Sequence, residues 1–382
     1  MFSTGIFMIN MWSIALFFIT LAIISFTHYV YRWRNPKCNG KLPPGSMGFP
    51  LIGETIEFFI PSKTLDVSSF IKKRIARYGP VFRTNLVGRP VVISTDPEFN
   101  AFIMQQEMKL VQLWYMDSFS MILGGITDTA AVAGILKYFR NLILDSMGTE
   151  SLKEKLLPKL EVMVNQSLLS WSAQSSVELK ESIASMVFDW TALHLLNYDP
   201  SKSSENLSKM FVNFFHGIMS FPLNVPGTTL HKCLKVRKTA MKLTRDIVHE
   251  RLTSSEKRHG DLLDQLIDDM KNEEFLTEDL IFSIIFLILL ASLETISSAL
   301  TLAMILLTDH PFVVKELKEE HEAILRRREE NIDSPLTWKE YKSMTFTSQV
   351  INETLRLANP DPGMLRKVIK DIHINGMLNI ND

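Results

Sequence analysis

From Met1 to Tyr31 the chain carries no Lys, Arg, Asp or Glu. Within that stretch IFMINMWSIALFFITLAIISF supplies about the 20 apolar residues that a helix needs to cross a bilayer. Trp12 lies near one end, and Tyr29, Tyr31 and Trp33 lie at the other, where interfacial aromatics belong. Arg32, Arg34, Lys37 and Lys41 follow at once. The positive-inside rule then puts the extreme amino end across the membrane and the body in the cytosol. The competing reading is a cleaved signal peptide. Such a peptide usually has a basic leading region and a shorter apolar core, and neither is present. Residues 1–31 are therefore expected to be a single-pass transmembrane anchor.

KLPPGSMGFPLIGE, residues 41–54, packs three prolines and three glycines into a short span. Proline fixes φ and removes a donor, while glycine permits close turns. The expectation for residues 32–54 is a stiff, non-helical connector, with the body running over 55–382. A generic linker has the same composition.

The length of 382 residues allows one large domain or two ordinary ones. A net charge of −1 does not suggest an electrostatic nucleic-acid binder. Only Cys38 and Cys233 occur, which excludes a disulfide framework and suits a cytosol-facing body. Nineteen Met and 24 Phe suit either a pocket for a large apolar ligand or simply a Met-rich core.

Residues 64–78 predict a short amphipathic helix stopped at Gly79-Pro80. Residues 80–97 predict a hairpin with Gly88 at the bend. The helical period then dominates, over 97–106, 117–123, 134–146, 151–172, 178–196, 203–219, 231–254, 261–272, 277–308, 311–328, 338–342 and 343–358. Weak strand signals return at 365–374. The fold class expected is mainly α with a small β portion. The 277–308 helix has Thr277 as its cap and Glu278 and Asp279 in its first turn. It reads as the central helix of a large helical body. A second membrane span is the other reading, and dense flanking charge weighs against it.

Two constellations could carry chemistry. LLASLETISSA, residues 289–299, sets Glu294 and Thr295 inside that apolar helix. A carboxylate in an apolar site has its pKa raised and can exchange protons near neutral pH, and an adjacent hydroxyl can donate to a bound oxygen. The plainer reading is a polar pair bonded to a neighbouring helix, with Thr295 bonded back to its own turn. INETLR, residues 351–356, puts Glu353 and Arg356 on one helical face, and the apolar flanks Val350, Ile351, Leu355 and Leu357 point to a buried pair. A buried pair is more often a lock than a catalyst.

Taken in order, the anchor, the PPGxxGxPxxGE connector, the hairpin, the long helix with its acid-Thr pair, His310-Pro311 and ExxR resemble the membrane-bound cytochrome P-450 monooxygenases. FPLNVPGTTLHK (221–232) and TWKEYKSMTFTSQVINETLRLAN (337–359) look like the plant branch that oxidises sterols, brassinosteroids and triterpenoids. The resemblance runs to about residue 376. It implies a P-450 fold, haem b, NADPH electrons delivered through a reductase, an apolar polycyclic substrate, and placement in the endoplasmic reticulum membrane. It also implies that Glu294 and Thr295 relay protons during oxygen activation. Ala291 and Ser292 would make room for oxygen. Glu353 and Arg356 would form the lock behind the haem, and Arg140 and Arg366 would pair with haem propionates. For Arg140 and Arg366 the residues by themselves read as ordinary exposed charges.

The family's iron is held by a cysteine thiolate in a late FxxGxRxCxG segment, and the chain ends at Asp382 ahead of it. Neither Cys38, in KCNGKLPP, nor Cys233, in HKCLK, has the required setting, so no metal ligand is assigned. MLNIND after Gly376, TDTAAVA at 127–133, Pro360-Asp361 and Ile296 also depart from the branch. The expectation is a C-terminally incomplete, truncated member of the family. Three functions stay open: a haem-thiolate monooxygenase, an inactive membrane-anchored fragment, and a two-span protein using Glu294 within the bilayer.

Overall fold

The computed structural model describes residues 2–35, 41–50, 52–60, 67–114, 138–146, 148–199, 207–218, 224–253, 258–328, 334–358, 363–374 and 377–379. The expected helix at 117–123 lies outside them, as do Cys38, the TDTAAVA segment and Pro360-Asp361. The chain divides into two compact units, Met1–Trp114 with Leu365–Asp382, and Tyr115–Met364.

The first unit begins with α1, Phe2–Arg34. Its apolar window, Trp12–Arg34, is long enough to cross a membrane and buries none of its length. After the connector come α2 (Thr55–Phe58) and α3 (Ser69–Tyr78). Ser68 caps α3 by accepting from Ile71 N. Strands β1 (Val81–Leu86) and β2 (Arg89–Ser94) form the expected hairpin, from Val81 opposite Ser94 to Leu86 opposite Arg89. Its two-residue turn, Val87-Gly88, has positive φ at both positions (55° and 78°), the twist that a tight hairpin demands. Helix α4 (Pro97–Gln105) starts on the Asp96 cap. Strand β3 (Val111–Leu113) is filled late in the chain by β4 (Arg366–Val368), and β5 (Ile372–Ile374) pairs with β6 (Met377–Asn379).

The connector lies along this hairpin. Gly45 bridges Arg83 in parallel and Gly53 bridges Leu86 in the antiparallel sense. Gly53 has φ +67°, and a Cβ there would stand 2.1 Å from the Asn85 carbonyl oxygen. Only glycine fits that close approach. Beside it, Glu54 accepts from Arg74 Nε (2.9 Å) and Thr84 Oγ1 (2.6 Å), and Arg74 also reaches Glu57 at 2.8 Å. Burial pushes the Glu54 carboxyl up, but those bonds from Arg74 and Thr84 prevail and hold it below the usual range.

The second unit is helical. Residues 138–146 form α5, and a π-turn at Leu152–Leu156 leads into α6 (Leu157–Ser172). Then follow α7 (Leu179–Leu196), α8 (Leu207–Ile218), α9 (Thr229–Thr253), α10 (Leu262–Asp269), α11 (Glu278–Asp309), α12 (Pro311–Arg326), α13 (Trp338–Ser343) and α14 (Thr345–Ala358). Their ends follow the local chemistry. Thr277 accepts from Leu280 N to start α11, Thr337 and Glu340 form a capping box at α13, and Asn197 closes α7 in the left-handed region.

Helix α11 packs on α7, α9 and α14. Its first half supplies Ile285, Phe286, Leu289 and Leu293 to one core with Phe188, Phe211 and Leu230. The Phe188 and Phe211 rings lie 4.9 Å apart, and those of Phe211 and Phe286 lie 5.0 Å apart. The second half of α11 is different, because Ile296, Leu300, Met304 and Ile305 are exposed. At the other side of the core Arg251 is sealed in, held by Asp261 (2.8 Å), Asp264 (2.9 Å) and the Leu196 carbonyl (3.1 Å).

Candidate active site

The central helix brings Glu294 and Thr295 towards the surface and buries Ser297. Ala291 and Thr295, one turn apart, are both exposed, while Ser292 is half-buried and donates to Leu289 O. The Thr295 hydroxyl donates to Ala291 O at 3.0 Å, within its own turn. Glu294 points elsewhere. Its Oε1 accepts from Lys180 Nζ at 2.7 Å and from Ser298 Oγ at 2.8 Å. The acid expected in an apolar site is in fact 34% exposed and salt-bridged to a lysine 47% exposed. The reason is its place on α11, on the side that meets the first turn of α7. Lys180 could not be found from local sequence, since it stands 114 residues away.

Glu353 and Arg356 pair as their spacing predicts, with two bonds of 2.7 and 2.6 Å. Arg356 holds the Glu353 carboxyl below its usual range. The pair is not buried, however. The side chains are 54% and 66% exposed, and the apolar neighbours Ile351, Leu355 and Leu357 are exposed with them. Thr354 is the buried residue of this stretch, so α14 turns a different face inward from the one its flanks advertised. The start of α14 is fixed from α12. Glu320 accepts from Phe346 N (2.8 Å), Thr347 N (2.9 Å) and Thr347 Oγ1 (2.6 Å).

Arg140 sits on α5 and is exposed. Arg366, in the other unit, forms an ion pair with Glu107 at 2.6 Å, donates to Leu365 O at 3.0 Å and lies 3.7 Å from the Met104 sulfur. Glu107 in turn accepts from Leu113 N at 2.7 Å. The Arg366 guanidinium thus ties β4 to β3. Glu294, Thr295, Glu353, Arg356 and Arg140 share the helical unit, in which α14 packs on α11.

An open cleft of about 500 Å³ between α6 and α7 is lined by Trp171, Met186, Ser185 and Asp189. It holds none of the candidate residues. Burial pushes Asp189 up to about 6, and its Oδ1 has no hydrogen-bond partner.

The family model described as Cytochrome P450 matches residues 43–381. The chain belongs to the cytochrome P450 family. It is similar to "Cucurbitadienol 11-hydroxylase" of Siraitia grosvenorii, 46% identical over 96% of this chain and 78% of that one. It is also similar to "Beta-amyrin 16-alpha-hydroxylase CYP87D16" of Maesa lanceolata, 44% identical over 96% of this chain and 77% of that one. Among solved structures, the retinoic acid bound cyanobacterial CYP120A1 superposes with a TM-score of 0.73 at 26% identity, covering 90% of this chain and 75% of that one. The P450 fold, mostly helical with little sheet, is thereby established, and with it a monooxygenase family whose cofactor is haem and whose electrons come from a reductase.

The described residues of this P450 do not fit that haem. Cys233 lies in α9, sealed into the core at 2% exposure, and no thiol among the described residues faces an open site. The Arg366 fork, expected at a propionate, is taken up by Glu107.

Proposed function

We propose that the reaction for which this chain is built is hydroxylation of an apolar polycycle of the sterol or triterpenoid type. One atom of dioxygen enters a C–H bond and the other leaves as water, with two electrons from NADPH through a reductase. The observation that carries the reading is the family match over residues 43–381, within which α11 presents the acid-Thr pair. Identity of 44–46% to two hydroxylases named for cucurbitadienol and beta-amyrin supports the substrate class. In this reading Glu294 and Thr295 form the proton relay, and Glu353 with Arg356 locks α14. Arg140 and Arg366 are carboxylate-binding positions, the latter only once it leaves Glu107. Helix α1 anchors the chain once in the endoplasmic reticulum membrane, with the body in the cytosol.

A second reading, favoured by the sealed Cys233 and the exposed Glu353–Arg356 pair, is that these 382 residues by themselves do not turn over. The reduced carbon-monoxide spectrum of the purified, haem-supplemented chain separates the two. A thiolate-type Soret band, with hydroxylated product from a triterpenoid in the presence of reductase and NADPH, carries the first. A chain without that band carries the second.

A further inference from the structure

The cleft of about 500 Å³ between α6 and α7 shares no residue with the hydroxylase site. Its walls are one face of each helix, with Met163 and Trp171 on α6 and Ser182, Ser185 and Asp189 at helical spacing on α7. Glu178 and Glu181 line the end where the turn at 173–178 joins the two helices. Among the described residues that line the cleft, three are acidic and none is basic.

The acids are not gathered at one point. At 1.5 Å of rise per residue, Asp189 stands about 12 Å along α7 from Glu181. They are therefore too far apart to share one compact cation. Glu178 is held in place as the cap of α7, accepting from Glu181 N at 2.7 Å. Asp189 is half-buried, and its Oδ1 is closed off from solvent and accepts no hydrogen bond. A carboxylate taken out of water without a partner is costly, and a cation seated beside it offsets that cost. Between the two ends the lining changes character. Met163 and Met186 offer flexible apolar surface, and Ser182 and Ser185 offer hydroxyl oxygens that can accept from an N–H. Trp171, half-buried at the Glu181 end, presents an indole ring, the best aromatic partner for an ammonium group.

We propose that this cleft is a binding site for a linear aliphatic polyamine. One terminal ammonium pairs with Asp189. The other sits among Glu178, Glu181 and the Trp171 ring. The methylenes lie along Met163 and Met186, and an internal amine donates to Ser182 or Ser185. An anion is repelled by this lining, and a neutral apolar molecule leaves Asp189 unpaired. A chain with charge at both ends answers both acids at once.

The test is calorimetric titration of the purified full chain. Spermidine and diaminooctane should each bind saturably at one site. Diaminopropane, too short to reach both ends, should bind about tenfold more weakly or worse, and octanediol, the uncharged counterpart, should give no binding. Asp189→Asn keeps the side chain's size and should lower spermidine affinity about tenfold. Ser185→Leu fills the cleft from α7 and should abolish binding, with helix content by circular dichroism unchanged. Glu273→Gln removes an exposed acid outside the cleft and should leave affinity at the parent's value. If Asp189→Asn fails to fold, the length series and Ser185→Leu decide. Equal affinity for diaminopropane and diaminooctane overturns the proposal in favour of diffuse charge attraction. Spermidine binding unmoved by Ser185→Leu, or no saturable heat at all, overturns it outright.

Discussion

At the scale of single residues, two ion pairs that look alike on a distance list differ in worth. Arg74 is 9% exposed and grips the nearly buried Glu54, so Arg74→Ala strands a carboxylate out of water. Breaking a pair of that kind costs about 3–5 kcal/mol, and thermal unfolding in detergent should register the loss. Because the folded Glu54 carboxyl is held below its ordinary 4.5, its contribution is present above that pH. It disappears as pH falls through the depressed value, so acid should erase the difference between Arg74→Ala and the parent. Lys180 with Glu294 is half in solvent, where such pairs give about 0–1 kcal/mol. Lys180→Ala should leave the unfolding midpoint almost unmoved. Neither partner of the first pair is marked by its neighbours in sequence. Glu54 closes the PPGxxGxPxxGE stretch, but its guanidinium comes from 20 residues on.

At the scale of elements, sequence legibility tracked how local each signal was. Thr277, Thr337 and Asp261 cap helices through bonds three residues long, and the expected α11, α13 and α10 begin within a residue of where they stand. The hairpin was legible from alternation and from Gly88, whereas β3 was missed because three residues gain strand character only from a partner more than 250 positions away. The connector is expected to be stiff and non-helical; its glycines also permit isolated backbone bridges to β1, Gly45 to Arg83 and Gly53 to Leu86, that composition cannot reveal. For the candidate site, the pairing of Glu353 with Arg356 was legible but its burial was not, since burial depends on which face of α14 meets α11 and α12. Glu320 reaches α14 across that junction and supplies the acceptors for its second and third amides. Glu320→Ala should cost about 0.5–2 kcal/mol, the usual value of a lost helix cap, measured by chemical denaturation.

For the whole molecule, the question is what the long apolar helix is for. The first half of α11 is spent on the core of the helical unit, with Phe286 between Phe282 and Phe211, and the exposed second half is too short to cross a bilayer by itself. In microsomes carrying the full chain, protease added from the cytosolic side should therefore leave a protected fragment from the first 34 residues and none from 278–309. A protected α11 fragment would restore the two-span reading.

Cys233 gives this body an internal clock. Its sulfur is closed inside α9 behind Leu230 and Ala240, where a water-borne alkylating reagent cannot reach it until the helices part. The rate at which iodoacetamide mass accumulates on the peptide containing Cys233 should track the fraction of time the core stands open when opening and closing are fast relative to alkylation. Each variant above that loosens the helical unit, Glu320→Ala included, should speed that clock, about tenfold for each 1.4 kcal/mol of cost, while Lys180→Ala should leave it near the parent's pace.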